Sequence, residues 1–222
     1  MKKIVLIDGS PRLEKETASG GFIAQVETAL QESQFEKQKV NVRKSLNKGP
    51  ETDYAKMLEA DIIIFAFPLY YFCLPGLLTR FLEDYAKFYH VHGRPQKSTK
   101  VYAIVNCGFP EPEINEEALR VIDCFSRHID AHFRFGVLIG GGPMFAAAQN
   151  TPPVKKAAEQ LDAAIQTMIA DIDEGTGKLE NTLIKLRFPR RLYFFMGGMG
   201  WKQQAKKNGL TKTDLYRKPY QR

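Results

Sequence analysis

Asp8-Gly9-Ser10-Pro11-Arg12 and Ser19-Gly20-Gly21 bracket a hydroxyl- and glycine-rich stretch that follows a short apolar run, Ile4 to Ile7. An amphipathic segment begins at Phe22. Strand, hydroxyl-rich loop and helix in that order make an anion site: helix-start amides donate, and the helix dipole adds partial positive charge. Ser10, Ser19 and Thr17 offer hydroxyl donors, and Arg12 offers a charge. No Gly-Lys-Ser/Thr closes the loop, so it is not the triphosphate loop, and the GxGxxG of dinucleotide folds is missing. The chain between Asp8 and the helix is long enough to wrap one monophosphate. The same residues also suit an ordinary strand-to-helix loop with Ser and Thr as caps.

Two further clusters carry aromatic and small residues. The first is Pro68-Leu69-Tyr70-Tyr71-Phe72-Cys73-Leu74-Pro75-Gly76, stiffened by a proline at each end. Its three consecutive aromatics can wall in a flat ring or pack on a neighbouring subunit. The second is Asn106-Cys107-Gly108-Phe109-Pro110, where Gly108 permits close backbone approach. Gly140-Gly141-Gly142-Pro143 adds another permissive bend. A ligand with a phosphate at one end and a planar polar ring at the other suits all three, and FMN meets that description.

No metal site is expected. His128 and His132 are four apart on an expected helix, without a third ligand nearby, and His90-Val91-His92 reads as loop surface. Cys73 and Cys107 read as small fillers rather than redox thiols. The three cysteines are widely spaced without CxxC, which fits a reducing, cytoplasmic setting. No signal peptide and no segment of the ~20 apolar residues that span a bilayer are visible.

The elements that must position these clusters follow from periodicity. Apolar runs at 2–8, 40–46, 61–67, 100–107 and 133–141 read as strands, the third and fourth nearly continuous, as buried parallel strands are. Helical stripes run through Phe22–Leu30, Leu77–Tyr85, Leu119–Ile129 and Ala157–Ile172, with a short helix at 52–60. The expected fold is α/β: a doubly wound, five-stranded parallel sheet of order 2-1-3-4-5, whose ligand pocket lies at the switch beside the first strand. Glu174-Gly175-Thr176-Gly177 ends the last long helix.

Residues 1–180 form the expected FMN-binding domain and 181–222 a basic, aromatic extension. From 185 onward there are 11 Lys and Arg against one acid, Asp214, a local +10, while residues 1–184 carry −3. The run Leu192–Trp201 between Arg190-Arg191 and Lys202 has three readings: packing on its own fold or a dimer partner, which is preferred; contact with an anionic membrane surface; or contact with nucleic acid. No nucleic-acid motif supports the last.

IVLIDGSPR with Ser19, and PLYYFCLPGLLTRFLED with Pro68, Tyr70, Pro75, Glu83 and Asp84, resemble the signatures of flavodoxin-like NAD(P)H-dependent FMN reductases and related oxidoreductases. The resemblance covers about 1–175. It implies bound FMN, NAD(P)H as co-substrate, a small electron acceptor (quinone, flavin, nitro or azo compound) and a homodimer. It also implies FMN contacts at Ser10, Pro11, Arg12, Ser19, Gly20, Pro68, Leu69, Tyr70, Tyr71, Phe72, Asn106, Cys107, Gly108 and Phe109. No side-chain acid or base is required for hydride transfer, so no catalytic residue is expected. A flavodoxin-like electron carrier is the alternative, although carriers are typically strongly acidic. Tyr71, Phe72 and Cys73 replace the small residues usual in the family's second loop. The clustered cysteines of its iron–sulfur branch are absent from 47–60.

Overall fold

A computed structural model of the chain describes residues 1–12, 17–30, 34–93, 98–148, 151–175, 177–186, 189–218 and 220. Residues 13–16 of the first loop and Thr176 lie outside them. The chain divides into two compact units, Met1–Leu186 and Arg187–Arg222.

The first unit is a parallel sheet of strands β1 (Lys2–Asp8), β2 (Phe35–Asn41), β3 (Ile62–Pro68), β4 (Lys100–Asn106), β5 (His132–Ile139) and β6 (Thr182–Ile184). Its order is β2-β1-β3-β4-β5-β6, so the expected five strands become six. Strand β6 pairs Val137, Leu138 and Ile139 with Thr182, Leu183 and Ile184. Three residues, of which only Ile184 is buried, leave no periodic signal to read.

Helices α1 (Ala18–Ala29), α2 (Val42–Lys48), α3 (Glu51–Glu59), α4 (Gly76–His92), α5 (Glu116–His128), α6 (Gly142–Ala148) and α7 (Pro152–Glu174) cover the sheet. Side chains alternate along each strand, so Val5, Ile7, Ile63, Phe65, Phe67, Val101 and Val105 share one face. They pack with Tyr54 of α3, Leu78, Phe81 and Tyr85 of α4, and Leu119 and Ile122 of α5. The alternate residues Ile4, Leu6, Ile64, Tyr102 and Ile104 are equally buried. On that side the Tyr102 hydroxyl donates to Asp171 of α7 at 2.7 Å. Full burial of one such Ile or Phe side chain stabilises the fold by ~1.5–3 kcal/mol.

The second strand was expected at 40–46 and lies at Phe35–Asn41. Its interior, Glu36 to Lys39, is polar, and only Phe35 and Val40 are buried, as an edge strand allows. Asn41 then accepts from the Lys44 amide at 3.1 Å and caps α2, so the Val42–Leu46 stretch is helical. The short helix expected at 52–60 is α3. His90 and His92 belong to the last turn of α4 rather than to a loop. His128 ends α5 and His132 opens β5, separated by Asp130 at φ 53°, so the two do not share a helix face. Instead, His128 Nε2 meets His90 Nε2 at 3.2 Å.

At the N-terminal end of the sheet, Arg134 forms two bonds to the Asp171 carboxylate, at 2.8 and 2.6 Å. Lys2 and Lys100 donate to carbonyls in the last turns of α7, where cations suit the helix dipole. Burial raises the Asp171 pKa, but hydrogen bonds from Arg134 and Tyr102 outweigh it and hold the carboxyl below its usual range. Among the described residues, the sheet's edges are β2, which carries Lys37 and Lys39, and the three-residue β6.

The second unit contains helix α8 (Arg190–Lys207) and a short 3-10 turn, Asp214–Tyr216. Within α8 only Ala205 is buried.

Candidate functional site

The C-terminal ends of β1, β3 and β4 meet around a cavity of about 880 Å³. That lies within the usual range for small-ligand sites, ~300–1,000 Å³. Its wall is built from all three loops singled out in the sequence.

Gly9 follows β1, and its amide bonds the Ala66 carbonyl of β3 at 2.9 Å. A Cβ at this position would lie 2.9 Å from Phe67 Cβ and from the Leu78 side chain, so a larger residue would push the loop off the sheet. Asp8 accepts from the Ser10 amide at 3.0 Å and from Asn41 Nδ2 at 2.9 Å. Burial raises the Asp8 pKa, against the lowering effect of those two bonds and of Lys44. Arg43 of α2 donates to the Pro11 carbonyl at 2.5 Å and pins the loop from outside.

Thr17 caps α1 by accepting from the Gly20 amide at 3.0 Å. First-turn amides of a helix have no acceptor within it. Those of Ala18 and Ser19 therefore have no acceptor within the helix, and the buried Ser10, whose hydroxyl accepts from the Arg12 amide at 3.4 Å, lines the same cavity. Arg12, Thr17, Ala18, Ser19 and Gly20 all line the cavity.

Asn106 joins the loops. It is buried, and its Nδ2 donates to Ser19 Oγ and to the Phe67 carbonyl, each at 3.1 Å. One amide thereby ties β4 to β3 and to the start of α1. A Cβ at Gly142 would stand 2.5 Å from Asn106 Oδ1, so the start of α6 must carry no side chain. Asn106, Cys107 and Gly108 line the cavity. Burial pushes the Cys107 thiol upward, which keeps it protonated and suits a filler.

Pro68, Leu69 and Tyr70 form the facing wall. Beyond them the chain reverses in a two-residue turn: Tyr70 and Cys73 exchange amide-to-carbonyl bonds at 2.9 and 3.0 Å. Both central residues, Tyr71 (φ 50°) and Phe72 (φ 61°), are left-handed, the pattern of a type I′ turn. Glycine and asparagine normally occupy such positions, and for a bulky side chain the strain is ~1–3 kcal/mol. Tyr71 is 100% exposed, whereas Phe72 stacks on Phe109 with ring centroids 5.8 Å apart.

Of the expected contact residues, Ser10, Arg12, Ser19, Gly20, Pro68, Leu69, Tyr70, Asn106, Cys107 and Gly108 are brought together on the wall. Pro11, Tyr71, Phe72 and Phe109 are not on it. Ala24 and Gln25, one to two turns into α1, and Pro143 and Ala146 of α6 line the cavity without having been singled out. Helical spacing from Ala18 and Gly21 was the available signal for the first pair. The second pair was hidden because Gly140–Pro143 read as a bend rather than as the approach to a helix.

Residues 2–172 match the family model described as flavodoxin-like fold. Among solved structures, an NADPH-quinone reductase from P. pentosaceus is 19% identical, covering 76% of this chain and 97% of its own, with TM-score 0.55. An NADH:FMN oxidoreductase in its apo form is 20% identical, covering 86% and 98%, with TM-score 0.55. General stress protein 14 from Treponema denticola, in complex with FMN, is 14% identical, covering 79% and 100%, with TM-score 0.52. A search of curated proteins found no match.

Proposed function

We infer that this chain, which belongs to the flavodoxin-like fold family, is an FMN-dependent oxidoreductase that takes hydride from NAD(P)H and passes electrons to a small acceptor. The observation that carries the reading is that Ser10, Ser19 and the start of α1, Pro68–Tyr70 and Asn106–Gly108 line one and the same cavity. The residues suit FMN. A monophosphate finds the Ser10 hydroxyl, the first amides of α1 and the Arg12 guanidinium. A flat ring finds Leu69 and Tyr70 on one side and the 106–108 backbone at its polar edge. The names of two structural relatives, a quinone reductase and an NADH:FMN oxidoreductase, point the same way.

The flavin itself supplies the hydride chemistry. The protein's own groups bind and orient it. Asn106 keeps Ser19 and the Phe67 end of β3 in fixed register, so both ends of the ligand are held by one rigid unit. Pro68 and Tyr70 limit water at one wall. Asp8 holds the Ser10 amide and so shapes the anion loop, at the expense of placing a carboxyl beside it.

The test is an absorbance spectrum of the purified protein before and after NADH or NADPH under nitrogen. The expected protein is yellow, or becomes so with added FMN, and bleaches with a reduced nicotinamide. A colourless protein that takes up no FMN refutes the reading. Bound flavin that dithionite reduces and neither nicotinamide does would make it a carrier.

A further inference from the structure

We propose that the C-terminal unit docks on an anionic lipid surface, with the middle of α8 inserted shallowly and its basic ends held among the headgroups. From Leu192 to Trp201 the helix carries no charged residue. Its large side chains do not form a single stripe: Leu192, Phe195 and Met199 lie on one side, and Phe194 and Trp201 on the other. At an interface the side bearing Leu192, Phe195 and Met199 enters the acyl region, and Phe194 and Trp201 lie at headgroup level, where aromatic rings settle. Phe195 is 63% and Trp201 69% exposed.

Gly197, Gly198 and Gly200 sit in the same run, and a Cβ on any of them would meet nothing within 4 Å. Among the described residues of the C-terminal unit they serve no close packing, and they disfavour a helix in water. Where the middle of α8 sinks below the headgroups, no water reaches its backbone, which must close its own hydrogen bonds, and this favours the helix despite them.

Length and charge choose the mode. The uncharged run spans ~15 Å at the helical rise, about half of a hydrocarbon core. No helix among the described residues is long and apolar enough to cross a membrane. Arg190 and Arg191 stand at one end of the run, Lys202, Lys206 and Lys207 at the other. The one acid after residue 184, Asp214, is engaged locally with Thr211. Exposed Tyr216 and Tyr220 flank Arg217 and Lys218, an aromatic and basic mixture suited to headgroups. A second copy would bring the same positive unit against this one, and nucleic acid, whose bases stack on aromatic rings, leaves the aliphatic Leu192, Met196 and Met199 of the run without an apolar partner.

The chain's one tryptophan lies in this helix, so it reports directly. The full chain is mixed with vesicles of phosphatidylcholine alone, and with vesicles in which about a third of the lipid is phosphatidylglycerol. The anionic vesicles are expected to pellet the protein and shift Trp201 emission to shorter wavelength, with partial release by salt. The double variant Arg190→Gln/Arg191→Gln should partition ~30-fold more weakly, each cation contributing about fivefold. Phe195→Ala should weaken binding ~10-fold with the charge unchanged. Far-UV circular dichroism verifies that the variants fold, and the wild-type emission shift needs no variant. An unmoved Trp201 spectrum with anionic vesicles overturns the proposal, as does equal binding to neutral ones. So does a vesicle-free dimer that Phe195→Ala dissolves, which would make a second copy the occupant, or RNA capture that outcompetes the vesicles.

Discussion

Asn106→Ala isolates the amide that links three elements of the site. Two hydrogen bonds are removed, to Ser19 Oγ and to the Phe67 carbonyl, both inside a buried junction. A net bond contributes ~0.5–1.5 kcal/mol, and leaving a buried partner unsatisfied raises that to ~1–3 kcal/mol. Together with the lost side-chain packing, a destabilisation of ~2–3 kcal/mol is expected. With m of about 2–3 kcal/mol/M in urea, the unfolding midpoint of the flavin-free protein should fall by about 1 M with m unchanged. Asn106→Asp sharpens the test. It keeps the shape but turns an acceptor toward the Phe67 carbonyl and buries a charge, so its folded-state pKa is raised. Its penalty is therefore small below the unfolded carboxyl value of ~3.9 and grows as pH rises above it. An alanine variant within ~0.5 kcal/mol of wild type, or an aspartate variant of wild-type stability at neutral pH, would refute the reasoning.

Ser10→Ala should weaken FMN binding ~5–10-fold by fluorescence-quenching titration, because one donor to the phosphate is lost. Asp8→Asn should tighten FMN binding several-fold at neutral pH and low salt, since it removes a carboxyl beside the anion loop; the gap should close in acid, where the raised Asp8 pKa leaves the wild type neutral. Tyr71→Gly relieves a left-handed φ at a fully exposed side chain, so it should stabilise by ~1 kcal/mol and raise Tm by about 2–4 °C. Arg134→Gln leaves Asp171 without its bidentate partner and should destabilise by about 3 kcal/mol. Because the Asp171 pKa is lowered in the fold, its contribution is present above the unfolded value of ~3.9 and fades as pH falls through the folded one, so the cost of Arg134→Gln should shrink in acid denaturation series.

The parts of this fold that read from sequence are those where one physical effect dominates. Strands β3 and β4 are covered on both faces, and their unbroken apolar runs announce it. Strand β2 lies at an edge with a polar interior, so the chain's one misplaced strand fell where burial gives almost no signal. Its true end is marked by Asn41, whose capping bond to Lys44 is local chemistry that apolar periodicity does not detect. That the first loop lines the cavity was legible because Ser10 follows a strand and Ser19 opens a helix. The contribution of α6 was not, since Gly142 is glycine on account of Asn106, a residue far away in sequence. The turn at Tyr71 and Phe72 was illegible for a related reason: it uses the two φ values that asparagine and glycine would advertise, with side chains that advertise the opposite.

The two flanks of the sheet bear on how this protein behaves in concentrated solution. A long, flat outer strand invites pairing between molecules. Here one flank presents Lys37, whose ammonium caps the Glu27 and Leu30 carbonyls of α1 at 3.2 and 3.1 Å, together with Lys39. The other flank stops after three residues, too few to template a neighbour's backbone. Self-association through open strand edges is thereby discouraged on both sides, and contacts between molecules are left to side chains rather than to main-chain ladders.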